Sequence, residues 1–241
     1  MEKKRQFSLE ENNVIYSKNE IVEAIEKNIL LKVIFKYGYK NRFIENLLKE
    51  KNIPFTYKDH KFFKNYPESN NIVGFISPIK IKTIDDLKVN NEDIYVMVLN
   101  IEDPHNFGAI IRSSEIFGVK GVLFPKRRST TITPTVIKSS TGAIFNIDIY
   151  EFAGVNSTIK ELKNKGLWIV SLDVKAKDDL SNFNPILPMV LIVGGEDRGI
   201  NLKVLESSDF VIKIKTFGKT TSLNASVSCG IALYEITKIK K

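Results

Sequence analysis

The sequence has few of the side chains that build disulfide frameworks and metal centres. Its 241 residues include one cysteine, Cys229, and two histidines, His60 and His105. A single cysteine excludes a disulfide framework and a multi-cysteine metal site, and two histidines leave little material for a zinc centre. We therefore expect a protein that binds no metal.

Long apolar runs are also missing. No uninterrupted apolar run reaches the ~18 residues that a membrane-spanning helix needs, and the longest ones, such as residues 188–194, are no longer than a strand. The chain starts with the charged stretch Met-Glu-Lys-Lys-Arg-Gln, and no hydrophobic signal region follows it. The expectation is a soluble, cytoplasmic protein that contacts no membrane.

The residues that are abundant favour a globular protein with an anionic partner. Apolar residues make up 43% of the chain, which can fill a core, and 36 Lys and Arg against 28 Asp and Glu give a net charge of +8. Residues 32–66 interleave many of these cations with aromatic residues. Because cations attract phosphates and exposed rings stack on unpaired bases, this segment is predicted to contact nucleic acid. The alternative is that half or more of these aromatic side chains are core.

The N-terminal part of the chain is predicted to form a small α/β unit. Ser17-Lys-Asn-Glu20 is a capping box, and apolar residues continue after it at helical spacing. A strand-like run over 30–35, a helical pattern over 41–50 and a short strand over 53–57 follow. The unit is assigned to residues 1–76, and the polar, proline-broken stretch 77–92 is interpreted as a linker.

Residues 93–241 alternate regularly between apolar strands and helices. This pattern implies a mostly parallel sheet covered on both faces, in which ligands bind at the carboxyl ends of the strands. The last helix is predicted over residues 222–238. Its apolar stripe is expected to be formed by Leu223, Val227, Ile231 and Tyr234.

A first polar motif follows the strand predicted over 94–99. It contains Asn106, Gly108 and Arg112. Glycine inside a helix costs ~1 kcal/mol relative to alanine, so Gly108 needs a reason, and space for a ligand beside the guanidinium of Arg112 would supply one. The alternative for Arg112 is a surface salt bridge.

Two more motifs follow later strands. Residues 194–200 read Gly-Gly-Glu-Asp-Arg-Gly-Ile, which matches neither a dinucleotide-binding loop nor a P-loop, and Glu196 could hold a hydroxyl or an amine there. The alternative is a plain tight turn. Residues 219–226 contain Ser222, which could simply cap the last helix, and Asn224, which capping by Ser222 leaves unexplained.

In order and spacing, these motifs closely resemble those of the SpoU family of RNA 2′-O-ribose methyltransferases, in the SPOUT superfamily. The resemblance covers residues 93–241, and residues 11–76 are similar to the family's N-terminal substrate-binding domain. The departures are Gly195, Ala225 and Ser228, none of them at a proposed catalytic position. The matching residues are Asn106, Gly108 and Arg112, then Gly194, Glu196 and Gly199, then Ser222, Leu223 and Asn224.

The resemblance implies a fold, a cofactor and a set of site residues. It implies a C-terminal trefoil knot, S-adenosylmethionine as cofactor, and a homodimer in which each active site is completed by the partner subunit. Cofactor contacts are expected at Gly194, Ile214 and Leu223. The residues implied at the reacting ribose are Arg112, Asn106, Glu196, Ser222 and Asn224.

The implied reaction is methyl transfer to a ribose 2′-hydroxyl, on a guanosine of 23S ribosomal RNA. RNA contacts are expected at Lys36, Lys40 and Lys61, and at Arg127 and Arg128. The alternatives are a transfer RNA substrate, or a non-catalytic RNA-binding protein that keeps the fold. A nicotinamide-dependent enzyme is a third option, although the chain lacks the dinucleotide glycine loop.

Overall fold

A computed structural model describes residues 13–127, 129–195, 199–220 and 222–238. It divides into two compact units, one comprising Met1–Ile79 and Ile132–Phe145, the other Lys80–Thr131 and Asn146–Lys241. The boundaries drawn from the sequence do not anticipate that Ile132–Phe145 groups with the first unit. None of the helices in the described ranges is long and apolar enough to cross a membrane.

Helices and strands alternate along most of the described chain. The helices, α1 to α8 in chain order, are Lys18–Glu26, Arg42–Glu50, His60–Phe63, Pro104–Ile116, Pro134–Ser140, Val155–Asn164, Leu202–Ser207 and Ala225–Thr237. The strands, β1 to β12 in chain order, are Val14–Ile15, Leu30–Lys36, Phe55–Lys58, Ile72–Ile76, Ile81–Lys82, Ile94–Leu99, Gly121–Pro125, Asp148–Phe152, Trp168–Leu172, Asp178–Asp179, Met189–Gly194 and Phe210–Lys213.

The first unit is built on a mixed sheet with the order β1-β4-β2-β3. Strand β4 runs antiparallel to β1 and β2, whereas β2 and β3 are parallel. The predicted capping box starts α1, since the Glu20 N–H donates to Ser17 Oγ at 3.3 Å and the Ser17 N–H donates to Glu20 Oε2 at 3.1 Å. In Ile132–Phe145, helix α5 packs on β1 and carries the buried residues Val136 and Ile137.

The second unit contains an eight-stranded sheet with the order β10-β12-β9-β11-β6-β7-β8-β5. Every strand pair in it is parallel, which confirms the predicted mostly parallel sheet. The central strands β6 and β11 are buried almost throughout, as expected when helices cover both faces. Because the strands are parallel, the carboxyl ends of β6, β9, β11 and β12 lie at the same edge.

The stretch interpreted as a linker contributes to this sheet. Strand β5 pairs with β8 at the sheet edge, and the side chains of Ile84 and Leu87 are buried in the same core as Tyr95. The apolar residues of 77–92 stand singly between lysines and aspartates, so the stretch has too little periodicity to be recognised as an edge strand and a short helical turn.

The face of α8 that points inward differs from the prediction. Leu223, Val227, Ile231 and Tyr234 are exposed, and the buried side is made of Ala225, Cys229, Ala232, Leu233 and Ile236. This helix packs against α4 and β11, where small side chains allow close approach. The predicted helix is present, but its predicted stripe faces away from this chain's core, and the buried side carries the large residues Leu233 and Ile236.

Candidate active site

Loops at the carboxyl edge of the large sheet enclose a cleft with about 690 Å³ of empty space, its open mouth included. The loops follow β9, β11 and β12, and the start of α8 closes the fourth side. The described lining residues are Leu172, Asp173, Val174, Val193, Gly194, Gly195, Gly199, Ile200, Ile214, Thr216, Ser222, Leu223, Ala225 and Ser228. The cleft lies where parallel sheets generally bind ligands.

The cleft gathers the three positions at which cofactor contacts are expected. Gly194 lines it from the end of β11, Ile214 from the end of β12, and Leu223 from just before α8. Gly194 has no room for a side chain, because a Cβ there would lie 2.6 Å from the carbonyl carbon of Gly199. Glycine therefore lets the chain fold back on itself at the wall of the cleft.

Asn100, to which sequence reasoning gave no role, anchors this folded loop. Its Nδ2 donates to the carbonyl oxygen of Gly199 at 3.0 Å, and the Gly195 N–H donates to the carbonyl oxygen of Leu99 at 2.8 Å. A Cβ at Gly195 would collide with the Asn100 carbonyl oxygen, so this departure from the family pattern fits the local backbone. Glu196, between the two anchored glycines, lies outside the described residues.

Asn106 and Asn224, 118 residues apart in the sequence, meet directly. Nδ2 of Asn224 donates to Oδ1 of Asn106 at 2.9 Å. Oδ1 of Asn224 accepts from the N–H groups of Ser226 at 2.9 Å and Val227 at 3.3 Å, so Asn224 is the N-cap of α8. The interpretation of Ser222 as the cap is wrong, and one amide group both caps α8 and binds the first turn of α4.

Ser226 completes this polar cluster. Its hydroxyl lies 2.6 Å from Oδ1 of Asn224 and 3.3 Å from Oδ1 of Asn106. The sequence offered no signal for Ser226, because a serine in the first turn of a helix is common. Together the three side chains fix the start of α8 against the start of α4.

Arg112 lies on α4, six residues beyond Asn106. Six residues span well over one helical turn, and the two side chains project about a third of a turn apart around the helix axis. The side chain of Arg112 is exposed and forms no hydrogen bond or ion pair with the described residues, so the alternative of a surface salt bridge does not hold there. It is not among the described residues that line the cleft. A guanidinium with five free N–H donors is thus available to a group from outside this chain.

Two further titratable side chains, His105 and Cys229, are assigned no catalytic role. His105 is exposed in the first turn of α4, where its backbone N–H donates to the capping Asp103. Cys229 is buried in α8, and burial raises the pKa of its thiol to about 12. A thiol that stays protonated at neutral pH is a packing group rather than a nucleophile. Among the described residues, no cluster of His, Cys, Asp or Glu could hold a metal ion.

The residues expected to bind RNA are distributed over both units. Lys40 and Lys61 are exposed and Lys36 is half-buried in the first unit, while Arg127 is exposed after β7 in the second. Within the described residues, none of the four forms an ion pair. Arg128 lies outside the described residues.

Comparison with known proteins identifies the family. The model of the SpoU rRNA methylase family matches residues 93–234. The Bacillus subtilis protein YacO, assigned to the TrmH family of tRNA/rRNA methyltransferases, is 32% identical over 239 residues, covering 94% of this chain and 96% of its own length. A Staphylococcus aureus protein of the same assignment is 34% identical over 238 residues, with the same coverage.

The fold comparison agrees with the sequence comparison. The SpoU methyltransferase AviRb from Streptomyces viridochromogenes, in complex with the cofactor AdoMet, has a TM-score of 0.83 and 18% identity, covering 100% of this chain and 94% of that chain. The chain therefore belongs to the SpoU rRNA methylase family, which confirms the resemblance carried by its three loop motifs.

Proposed function

We propose that the protein transfers a methyl group from S-adenosylmethionine to the ribose 2′-hydroxyl of a guanosine in 23S ribosomal RNA. The observation that carries the proposal is a cleft that is lined by residues of both the second and the third motif, with Gly194, Ile214 and Leu223 on its walls. The AdoMet complex of AviRb, which shares the fold, supports the choice of cofactor.

The chemistry of the cleft fits this cofactor. Apolar side chains such as Val193, Ile200 and Leu223 suit a flat adenine, and the glycine backbone at Gly194 allows close approach. The carboxylate of Asp173 can accept hydrogen bonds from amino or hydroxyl groups. When bound, the cofactor supplies a sulfonium methyl that is already activated, so the chain has to align the 2′-hydroxyl, remove its proton and stabilise the developing oxyanion.

Arg112 is the residue that we assign to the oxyanion and to a neighbouring phosphate. A guanidinium has only N–H donors and no acceptor, so it is a poor general base, and phosphate or water takes the proton. The exposed guanidinium of Arg112, without a partner in the described residues, supports this role. Asn106, Glu196, Ser222 and Asn224 then orient the ribose and its neighbours. Asn106 and Asn224 do so as one hydrogen-bonded pair.

A homodimer with a trefoil knot in each subunit is part of the proposal. The exposed apolar face of α8 is supported as a dimer surface by the exposure of Val227, Ile231 and Tyr234, and by the ring of Phe117, 6.3 Å from that of Tyr234. Arg112 lies on the neighbouring helix α4 and outside its own cleft. This location is consistent with an active site completed by the partner subunit.

Ribosomal RNA is preferred over transfer RNA because of the first unit. This unit, with its basic and aromatic segment 32–66, is similar to the N-terminal domain of the rRNA-directed branch, which the tRNA-directed members often lack. Transfer RNA remains the second candidate, since the assignment of YacO and its Staphylococcus aureus counterpart covers both RNA classes.

The test is incubation with radiolabelled S-adenosylmethionine and unmodified total RNA, beside an Arg112→Ala control. We expect label in the large-subunit RNA that is lost in the control. Label in transfer RNA would support the proposed reaction but refute the assignment of ribosomal RNA as the substrate. Failure to bind the cofactor would leave a non-catalytic RNA-binding protein as the better interpretation.

A further inference from the structure

Four aromatic side chains of the first unit form a continuous stack. Tyr39 stacks on Phe35 with ring centroids 6.2 Å apart, Phe35 on Tyr57 at 5.5 Å, and Tyr57 on Tyr37 at 6.4 Å. The angles between successive ring planes are 24°, 30° and 17°, so the rings are close to parallel. The stack runs from Tyr39 through the fully buried Phe35 and then Tyr57 to Tyr37, which is 68% exposed.

The outermost ring is held on a well-braced turn. The Tyr37 N–H donates to the carbonyl oxygen of Lys58 at 2.8 Å, and the Tyr39 N–H donates to that of Lys36 at 3.0 Å. Gly38, with a φ of 84°, closes the turn in a conformation that suits glycine. A large apolar ring is therefore kept in solvent by the backbone around it, and little entropy is lost when a ligand stacks on it.

The surroundings of this ring are cationic. Lys36 and Lys58 are register partners on β2 and β3, and Lys40 follows the turn. None of these three lysines has an ion pair in the described part of the chain. An aromatic face bordered by free ammonium groups matches an unpaired base with its flanking phosphates. Core packing, the alternative for the aromatic residues of this segment, does not account for Tyr37.

Phe43 shows that exposure alone does not make such a site. It is 67% exposed on α2 in the same unit, yet it contacts no other aromatic ring within the described residues. We propose that Tyr37 and Tyr57 form a stacking platform for an unpaired base of the RNA substrate. This inference rests on the proposed function, because it assigns the first unit a single-stranded or looped segment of the same RNA.

The experiment measures binding of a short single-stranded RNA containing 2-aminopurine to the full-length protein, at several salt concentrations. We expect Tyr37→Ala to weaken binding about fivefold to a hundredfold and to remove the quenching of 2-aminopurine. The salt slope should stay unchanged because no charge is lost. Tyr37→Trp should restore both affinity and quenching, and the matched Phe43→Ala should behave like the wild type.

Wild-type affinity in Tyr37→Ala, or an equal loss in Phe43→Ala, would overturn the platform. The same RNA annealed to its complement should bind with no dependence on Tyr37, and a dependence there would also contradict base stacking. Failure of the proposed function would give a different result. If the wild-type protein binds no S-adenosylmethionine and Tyr37→Ala still weakens RNA binding, the stacking platform is supported and the methyltransferase function is refuted.

Discussion

The contact between Asn106 and Asn224 predicts a measurable coupling between the first turn of α4 and the start of α8. Replacing Asn224 by alanine removes the cap of α8, which costs ~0.5–2 kcal/mol, and the hydrogen bond to Asn106, which contributes ~0.5–1.5 kcal/mol net. Because both asparagines are at least partly exposed, we expect a total near the lower half of that sum, about 1–2 kcal/mol. At roughly 2–4 °C per kcal/mol, Tm should fall by about 2–8 °C.

The assay is urea unfolding followed by tryptophan fluorescence. Trp168, at the start of β9, is the one tryptophan of the chain, so its signal reports on the second unit. Wild type, Asn106→Ala, Asn224→Ala and the double variant form a cycle that measures the coupling between the two positions, and we expect a coupling of about 0.5–1.5 kcal/mol. Asn201→Ala is the matched control, since Asn201 caps α7 through the Val204 N–H at 3.0 Å.

A coupling below about 0.3 kcal/mol would refute the argument, because that is within the error of additive, independent sites. In that case Asn224 would act only as a cap, and its variant would lose no more stability than Asn201→Ala. The Ser226 hydroxyl contacts both asparagines, so the measured coupling belongs to the cluster of three side chains.

Three further predictions concern the proposed chemistry. Arg112→Ala should lower the rate of methyl transfer about a hundredfold to a thousandfold. The affinity for S-adenosylmethionine should stay unchanged, because Arg112 does not line the cleft. Activity retained in Arg112→Lys with an unchanged pH–rate profile would contradict a role for the guanidinium. Charge reversal at Lys36, Lys40 and Lys61 together should weaken RNA binding and flatten its salt dependence. A salt slope equal to that of the wild type would show that these lysines do not contact the RNA. Cys229, with its pKa raised by burial to about 12, should not react with a thiol reagent at pH 8 until the protein unfolds; fast reaction of the native protein would contradict its burial.

The sequence predicted the parts of the fold that depend on local pattern. The capping box at Ser17 and the buried strand β6 follow from periodicity and from hydrogen bonds between near neighbours. The inward face of α8 could not be predicted in this way, because apolar residues stand on both sides of the helix, with Leu233 and Ile236 opposite Ile231 and Tyr234. Which side packs depends on contacts with α4 and β11, which are distant in the sequence, and these bury the side with Cys229, Leu233 and Ile236.

The candidate site was predictable as a set of positions but not as a set of contacts. The three glycine and polar motifs could be assigned to strand ends, and Gly194, Ile214 and Leu223 lie in one cleft. The roles of Asn100 and Ser226 depend on partners 99 and 120 residues away, so no local pattern reports them. From the sequence alone, Asn100 would be interpreted as a turn residue after a strand, because the loop that it binds is not known at that stage.

The grouping of Ile132–Phe145 with the first unit has a practical consequence for dissecting the protein. The polypeptide passes between the two units at 79/80, again at 131/132, and once more at 145/146. A cut near residue 92, which the sequence pattern recommends, would leave α5 attached to the larger fragment without the strand on which it packs. Val136 and Ile137 would then face water, so a truncated methyltransferase fragment should be prone to aggregate unless this helix is also replaced by a short loop.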